Sequence, residues 1–194
     1  MQEHLLQLKA VLTAIEPLNE PEWEAFSAIW TPFSAKRKEV ISRAGETEKY
    51  LYFVLEGVQR IFYFDAEGRE ATLVFMYPPS FGGVFHSFLL QEPSRQSFET
   101  LTPSYFLRAS FLDFDRVVKM YPALQALILK GVSQALSGVL DRLAELQSFT
   151  SEEKFKTLLS RSPHILHLVP HKYLANYIGI DATNFSKLIN RIKI

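Results

Sequence analysis

The sequence predicts an α+β fold: helices first, then an all-β unit, then one long helix and a compact helical end. Three observations predict it. Residues 33–110 hold short aromatic and β-branched runs, with Gly or Pro breakers recurring about every 11 residues. Residues 122–148 carry a heptad-like row of apolar side chains with no proline after Pro122. The end of the chain pairs two short helical patterns around a single glycine.

Each element follows in order. Residues 3–14 show a stripe of Leu5, Leu8, Val11 and Leu12, and residues 21–30 suggest a second helix. That helix enters at Asn19 with Pro21 in its first turn, and Pro32 is expected to end it. Four runs then read as strands: Tyr50–Leu55, Val58–Phe64, Thr72–Tyr77 and Tyr105–Leu107. Asp65-Ala66-Glu67-Gly68 joins two of them as a short hairpin connection. Evenly spaced short strands suggest a barrel, roll or sandwich.

Residues 111–149 turn helical. Leu129, Val132, Leu136, Val139, Leu143 and Leu146 form the heptad-like seam. A second row, Leu124, Ile128, Gly131, Ala135 and Gly138, is small or apolar. A helix with two apolar faces packs on two things. Those are its own β-unit and a second copy, or simply two sides of one core; spacing leaves both open. Thr150-Ser151-Glu152-Glu153 reads as a capped helix start, followed by Phe155, Leu158 and Leu159 on one face, and Pro163 closes the helix.

The composition is that of a globular chain: 194 residues, 47% hydrophobic and 22% charged. No run approaches the roughly 18 uninterrupted apolar residues of a spanning helix. The N-terminus lacks the basic flank and apolar run of a secretory signal. A cytoplasmic chain with no membrane partner is the expectation. With no cysteine, disulfides, Cys-ligated zinc, iron–sulfur clusters and cysteine nucleophiles are excluded. Net charge is zero, yet residues 151–194 hold seven basic side chains against Glu152, Glu153 and Asp181. A basic end on an acidic body suits a polyanionic partner.

The final segment, from His171 on, carries the most chemistry. A helix-turn-helix needs a small residue where its helices cross, a glycine at the left-handed turn, and apolar residues locking the corner. Ala175, Gly179 and the set Leu174, Ile178, Ile180, Phe185 and Leu188 supply these, with Asp181 as N-cap of the second helix. That helix would expose Ala182, Thr183, Asn184, Ser186, Lys187, Asn190 and Arg191, which are small, hydrogen-bonding or basic, as a major groove requires. The plainer alternative is a helical hairpin with a polar surface. The length of the match, in a basic segment, favours DNA.

The order of β-unit, long helix and helix-turn-helix resembles the cyclic-AMP receptor and fumarate–nitrate regulator (Crp-Fnr) family of bacterial transcription factors. The resemblance covers nearly the whole chain. Ser42-Arg43-Ala44-Gly45-Glu46, Leu51–Gly57, Asp65–Gly68 and Glu152–Leu159 look like that family's signatures. It implies an N-terminal double-stranded, jelly-roll-like β-roll with flanking helices in an effector domain at 1–121. It further implies a dimerisation helix at 122–148 and a winged-helix-like helix-turn-helix DNA-binding domain at 149–194. The implied partners are a second copy joined along the seam, a palindromic operator in double-stranded DNA, and RNA polymerase. Lys172, Ala182, Thr183, Asn184, Ser186, Lys187 and Arg191 are the candidate DNA contacts. Thr183 and Lys187 are placed on base edges.

In that family a short turn-helix-turn offers backbone N–H groups to a cyclic nucleotide's phosphate, while a Glu takes the ribose and an Arg the phosphate. The matching stretch is Phe81–Ser97, and the candidate effector contacts are Gly82, Gly83, Val84, Ser94, Arg95, Ser97 and, on the long helix, Ser137. Gly83 stands where the Glu is expected, which forfeits about tenfold to a hundredfold in affinity. Arg95 is shifted by about one place along its strand, which turns it elsewhere. The pocket therefore reads as a retained scaffold with altered contents. That favours a different small ligand, such as another small anion, or none, over cyclic AMP or cyclic GMP held by relaxed contacts; the alternative function is a signalling module whose C-terminal helices bind protein.

Other candidates carry less. His164, His167 and His171 have metal-like spacing, but Pro170 interrupts the helix and no carboxylate joins them. His86, if buried, would be the haem ligand to suspect. Lys36-Arg37-Lys38 reads as a solvated run, and Asp65, Glu67 and Glu70 as turn charges. No catalytic motif is present, so no enzyme is expected.

Overall fold

The computed structural model describes residues 1–191. Lys193, counted among the basic residues above, lies outside them.

Helices α1 (Gln2–Ile15) and α2 (Glu20–Ser27) precede the strands. Asn19 caps α2 in a reciprocal capping box with Glu22, and Pro21 sits in the first turn. The helix stops at Ser27, short of the expected end. Pro32 does not terminate it; Pro32 lies inside β1 (Thr31–Ala35), an edge strand, where a missing N–H costs no ladder bond. The remaining strands are β2 (Val40–Ser42), β3 (Tyr50–Glu56), β4 (Gln59–Phe64), β5 (Glu70–Met76), β6 (Ser80–Gly82), β7 (Ser97–Thr100) and β8 (Ser104–Ser110). Helix α3 (Phe85–Leu90) falls between β6 and β7.

The strands form two antiparallel sheets of four, in the orders β1-β8-β3-β6 and β2-β7-β4-β5. This is a double-stranded roll. Its interior is filled with aromatic rings: Phe33, Tyr52, Phe98 and Phe106 pack with centroids 5.5–6.4 Å apart. On the other face of the first sheet, Leu51, Phe53 and Leu107 meet Leu8, Leu12, Phe26 and Phe114 from the surrounding helices.

Helix α4 (Phe111–Met120) leads to α5 (Pro122–Ser148). Only the beginning of α5 is anchored in that core, through Leu124 and Leu127. The chain closes with α6 (Ser151–Arg161), α7 (Ile165–Leu168), α8 (His171–Tyr177) and α9 (Ala182–Arg191). Thr150 and Glu153 form the expected capping box of α6. Phe155, Leu158, Ile165, Leu174, Ala175, Ile178, Phe185 and Leu188 make a separate core there, which Val58 and Leu101 of the roll complete.

Candidate nucleic-acid interface and effector cassette

The corner between α8 and α9 is built as the sequence demands. Gly179 has φ +66°, the left-handed conformation that ends α8. Its N–H donates to the Asn176 carbonyl, and the Ile180 N–H donates to that of Ala175. Asp181 caps α9, its carboxylate accepting from the Asn184 N–H at 2.8 Å. Phe185 and Leu188 bury one face of α9. Ala182, Thr183, Ser186, Lys187, Asn190 and Arg191 are exposed on the other.

Two candidate DNA contacts are engaged within the protein. Asn184 donates from its amide to the Ser151 hydroxyl, so it braces α9 on α6. The Arg191 guanidinium lies 3.6 Å from the Glu152 carboxylate in an exposed pair. Lys172, at the start of α8, is exposed and stands over the Tyr173 ring.

Helix α8 does not hang free. Its Asn176 side chain inserts against β5: the Thr72 N–H donates to the amide oxygen at 2.5 Å, and the amide nitrogen donates to the Glu70 carbonyl at 2.6 Å. The Tyr173 ring lies 3.9 Å from the Arg60 guanidinium, and Phe75 packs against Tyr177. Arg60 is almost fully buried and makes four side-chain hydrogen bonds. It forks onto Glu70 at 2.7 and 2.8 Å, donates to Glu99 at 2.6 Å and bonds the Thr72 hydroxyl. Arg142 of α5 donates to the Tyr177 carbonyl, and Glu145, buried, pairs with Arg142 and with Arg161 of α6. A small cavity of about 140 Å³ remains among Phe75, Tyr77, Arg142, Glu145 and Tyr177. Apart from the Arg142–Glu145 pair, three positions apart on α5, these clamps join residues of different elements, which no local pattern in the sequence shows.

The middle of α5 is bare. Leu129, Leu136, Val139, Leu140 and Leu143 are 49–69% exposed, while Val132 is half-buried. Leu146 instead packs toward the corner, 3.4 Å from where a Gly179 side chain would begin. By length and hydropathy α5 could cross a membrane. Its Lys130–Glu16 and Glu145–Arg161 ion pairs tie both ends into the protein.

The cassette between β6 and β7 keeps its turn but is already occupied from within. Gly83 has φ +101°, and Val84 is buried at the start of α3. The acceptor facing the Val84 N–H is Glu48, at 3.3 Å. The same carboxylate accepts from the Ser42 hydroxyl and from the N–H groups of Lys49 and Tyr50. Burial pushes the Glu48 pKa upward, against the lowering effect of those hydrogen bonds. No local motif marks Glu48 in the sequence.

The other candidate effector residues are scattered. Arg95 is turned outward onto Tyr63, its guanidinium 3.3 Å from the phenol oxygen. Ser94 is buried and bonded to Gln96, and Ser97 accepts from the Ala44 N–H; both brace the loop after β2. Gly82 ends β6, and Ser137 lies on the exposed part of α5. His86 is exposed. His164 sits edge-on to Tyr77, and His171 lies against Phe185. No cluster able to hold a metal occurs among the described residues.

The comparisons agree with this geometry. Residues 32–121 match the family model of the cyclic nucleotide-binding domain. FixK2 from Bradyrhizobium japonicum superposes with TM-score 0.74 at 18% identity, covering 84% of each chain. The c-di-GMP responsive global regulator CLP of Xanthomonas campestris gives 0.67 at 16% identity, over 89% of this chain and 91% of that one. A protein described as a transcriptional regulator of the Crp/Fnr family, from Eubacterium rectale, gives 0.70 at 14% identity, over 90% and 83%. The chain has the Crp/Fnr regulator fold. No curated protein matches it in sequence.

Proposed function

We propose that this chain is a dimeric, sequence-specific DNA-binding transcription regulator acting in the cytoplasm. The observation that carries the reading is the exposed face of α9, where Thr183, Ser186, Lys187, Asn190 and Arg191 surround an otherwise locked helix. Such side chains suit base edges and phosphates, and the helix N-terminus favours an anion. Thr183 and Lys187 read bases, Lys172 and Arg191 approach phosphates, and Asn184 holds the helix at its angle.

The bare stripe of α5 is the second support. Burying one leucine or valine is worth about 1.5–3 kcal/mol, so a second copy covering Leu129, Leu136, Val139 and Leu143 gains much. Two copies joined there present two recognition helices, for half-sites roughly 34 Å apart in a palindromic operator. RNA polymerase is the further partner this reading entails. An effector in the roll shifts the population of orientations at the hinge around Gln147–Thr150. With Glu48 holding the cassette and Arg95 turned away, cyclic AMP or cyclic GMP is expected to bind weakly.

Selection of bound duplexes from a random DNA library, at one fixed moderate salt, tests the function. The expected result is a palindrome bound with a steep inverse salt dependence. Lys187→Ala should weaken specific binding by about 1–3 kcal/mol. No enrichment, with or without cyclic AMP, would replace this reading with a protein-binding module.

A further inference from the structure

The roll has a second concavity that the cassette does not use. It is a cleft of about 570 Å³ between β1, β2, β3 and β8. That volume lies within the roughly 300–1,000 Å³ of small-molecule sites. Phe33, Ile41, Tyr50 and Tyr52 give it apolar and aromatic walls, and Arg108 stands among them.

Arg108 is the anomaly. Its guanidinium carbon is 4.3 Å from the Phe33 ring centre and 4.4 Å from that of Tyr50. Its Nε is buried with no hydrogen-bond partner, and among the described residues its side chain makes neither a hydrogen bond nor an ion pair. Arg60, on the other sheet, shows what the same group does when the protein supplies partners. A partly buried guanidinium held by rings and left without an acceptor is costly unless something else completes it.

The carboxylates along the cleft do not complete it. Glu39 accepts from the Lys36 N–H, Glu46 accepts from the Arg43 N–H, and Glu48 spends both oxygens on four donors. Their presence disfavours a doubly charged guest more than a singly charged one. We infer that this cleft binds a small organic acid, its carboxylate on Arg108 and its flat apolar body against Phe33, Tyr50 and Tyr52. The site is separate from the cassette and independent of whether the chain binds DNA. Glu48 borders both, so occupancy of the cleft would be felt at the Val84 N–H.

Ligand-observed saturation-transfer NMR on the full chain tests this, with benzoate against benzamide, its neutral counterpart of the same shape. Benzoate is expected to bind at millimolar concentration and about tenfold more tightly than benzamide, the lower end for a charge-assisted contact. Arg108→Met should abolish that preference, Arg108→Lys should keep part of it, and Ile41→Trp, which fills the cleft, should remove both probes. Circular dichroism checks that each variant folds; Ile41→Trp and Arg108→Lys carry the test if Arg108→Met does not. Equal binding of the two probes, no binding of benzoate, or full displacement of benzoate by cyclic AMP would overturn the assignment.

Discussion

Replacing Arg60 with methionine keeps much of the side chain's bulk but deletes the charge that joins three strands to the C-terminal helical unit. The side chain is 3% exposed, and its partners Glu70 and Glu99 are 28% and 13% exposed. Removing one member of a buried ion pair costs about 3–5 kcal/mol, because the remaining charge is stranded. Both carboxylates here can partly rehydrate, so the expectation is the lower end, about 3 kcal/mol. For a chain of this size that lowers Tm by about 6–12 °C, at matched protein concentration. Thermal unfolding followed by circular dichroism measures it. The pH dependence adds a second readout. Hydrogen bonds from Arg60 hold the Glu70 carboxyl below its usual range. The stability this contributes is present above the unfolded-state pKa, near 4.3, and is lost as pH falls through the lower folded value. The gap between wild type and Arg60→Met should therefore narrow as the pH drops toward 3. Adding Glu70→Gln and Glu99→Gln should recover part of the loss. A deficit under about 1 kcal/mol, the size of an exposed pair, or one that persists unchanged in acid, refutes the argument.

Three further outcomes are expected. Asn176→Ala deletes both side-chain bonds to β5, about 1–3 kcal/mol of docking, and amide hydrogen exchange at Thr72 should accelerate while that at Phe53 does not. Leu136→Glu puts a charge on the bare stripe of α5, and sedimentation equilibrium should show dimerisation weakened at least tenfold, about 1.4 kcal/mol. Burial raises the Glu48 pKa, so the stability linked to its protonated form is full below the unfolded value and is lost as pH rises through the folded one. Glu48→Gln should flatten that loss as pH rises above the ordinary carboxylate range, at a cost of about 1 kcal/mol in acid from the unmatched Val84 N–H, measured as urea midpoints against pH.

The sequence made legible what depends on local pattern. The four aromatic runs, the Asp65–Gly68 turn, the Thr150 cap and the Gly179 corner all express short-range rules, and each stands where those rules put it. Four strands had no run of their own. β2, β6 and β7 span only three or four residues, and β1 holds, as its second residue, a proline that read as a helix stop. Pairing with β8 makes β1 a strand, and pairing lies outside any local window. The sites divide the same way. The polar face of α9 was readable from helical spacing, whereas Glu48, Arg60, Asn176 and Arg108 looked like ordinary polar residues. Their surroundings come from strands up to about a hundred positions away.

The placement of α8 bears on how a signal could pass through this fold. Three of its residues reach three elements: Asn176 the β5 backbone, Tyr173 Arg60 on β4, and the Tyr177 carbonyl Arg142 on α5. The only covalent link from α5 to this unit is the short step through Phe149 and Thr150, and Glu145 and Arg161 pair across it. Glu145 is 5% exposed, so opening that step strands a carboxylate unless water or another cation replaces Arg161. The unit is thus held by a handful of polar contacts around the apolar core that Val58 and Leu101 complete, and the polar ones depend on geometry far more steeply than the apolar ones. A shift of β5 or a small rotation of α5 would change several of them together. That is the physical condition for a two-position element, and, under the proposed function, it makes α8, not the polar-faced α9, the helix on which regulation should act.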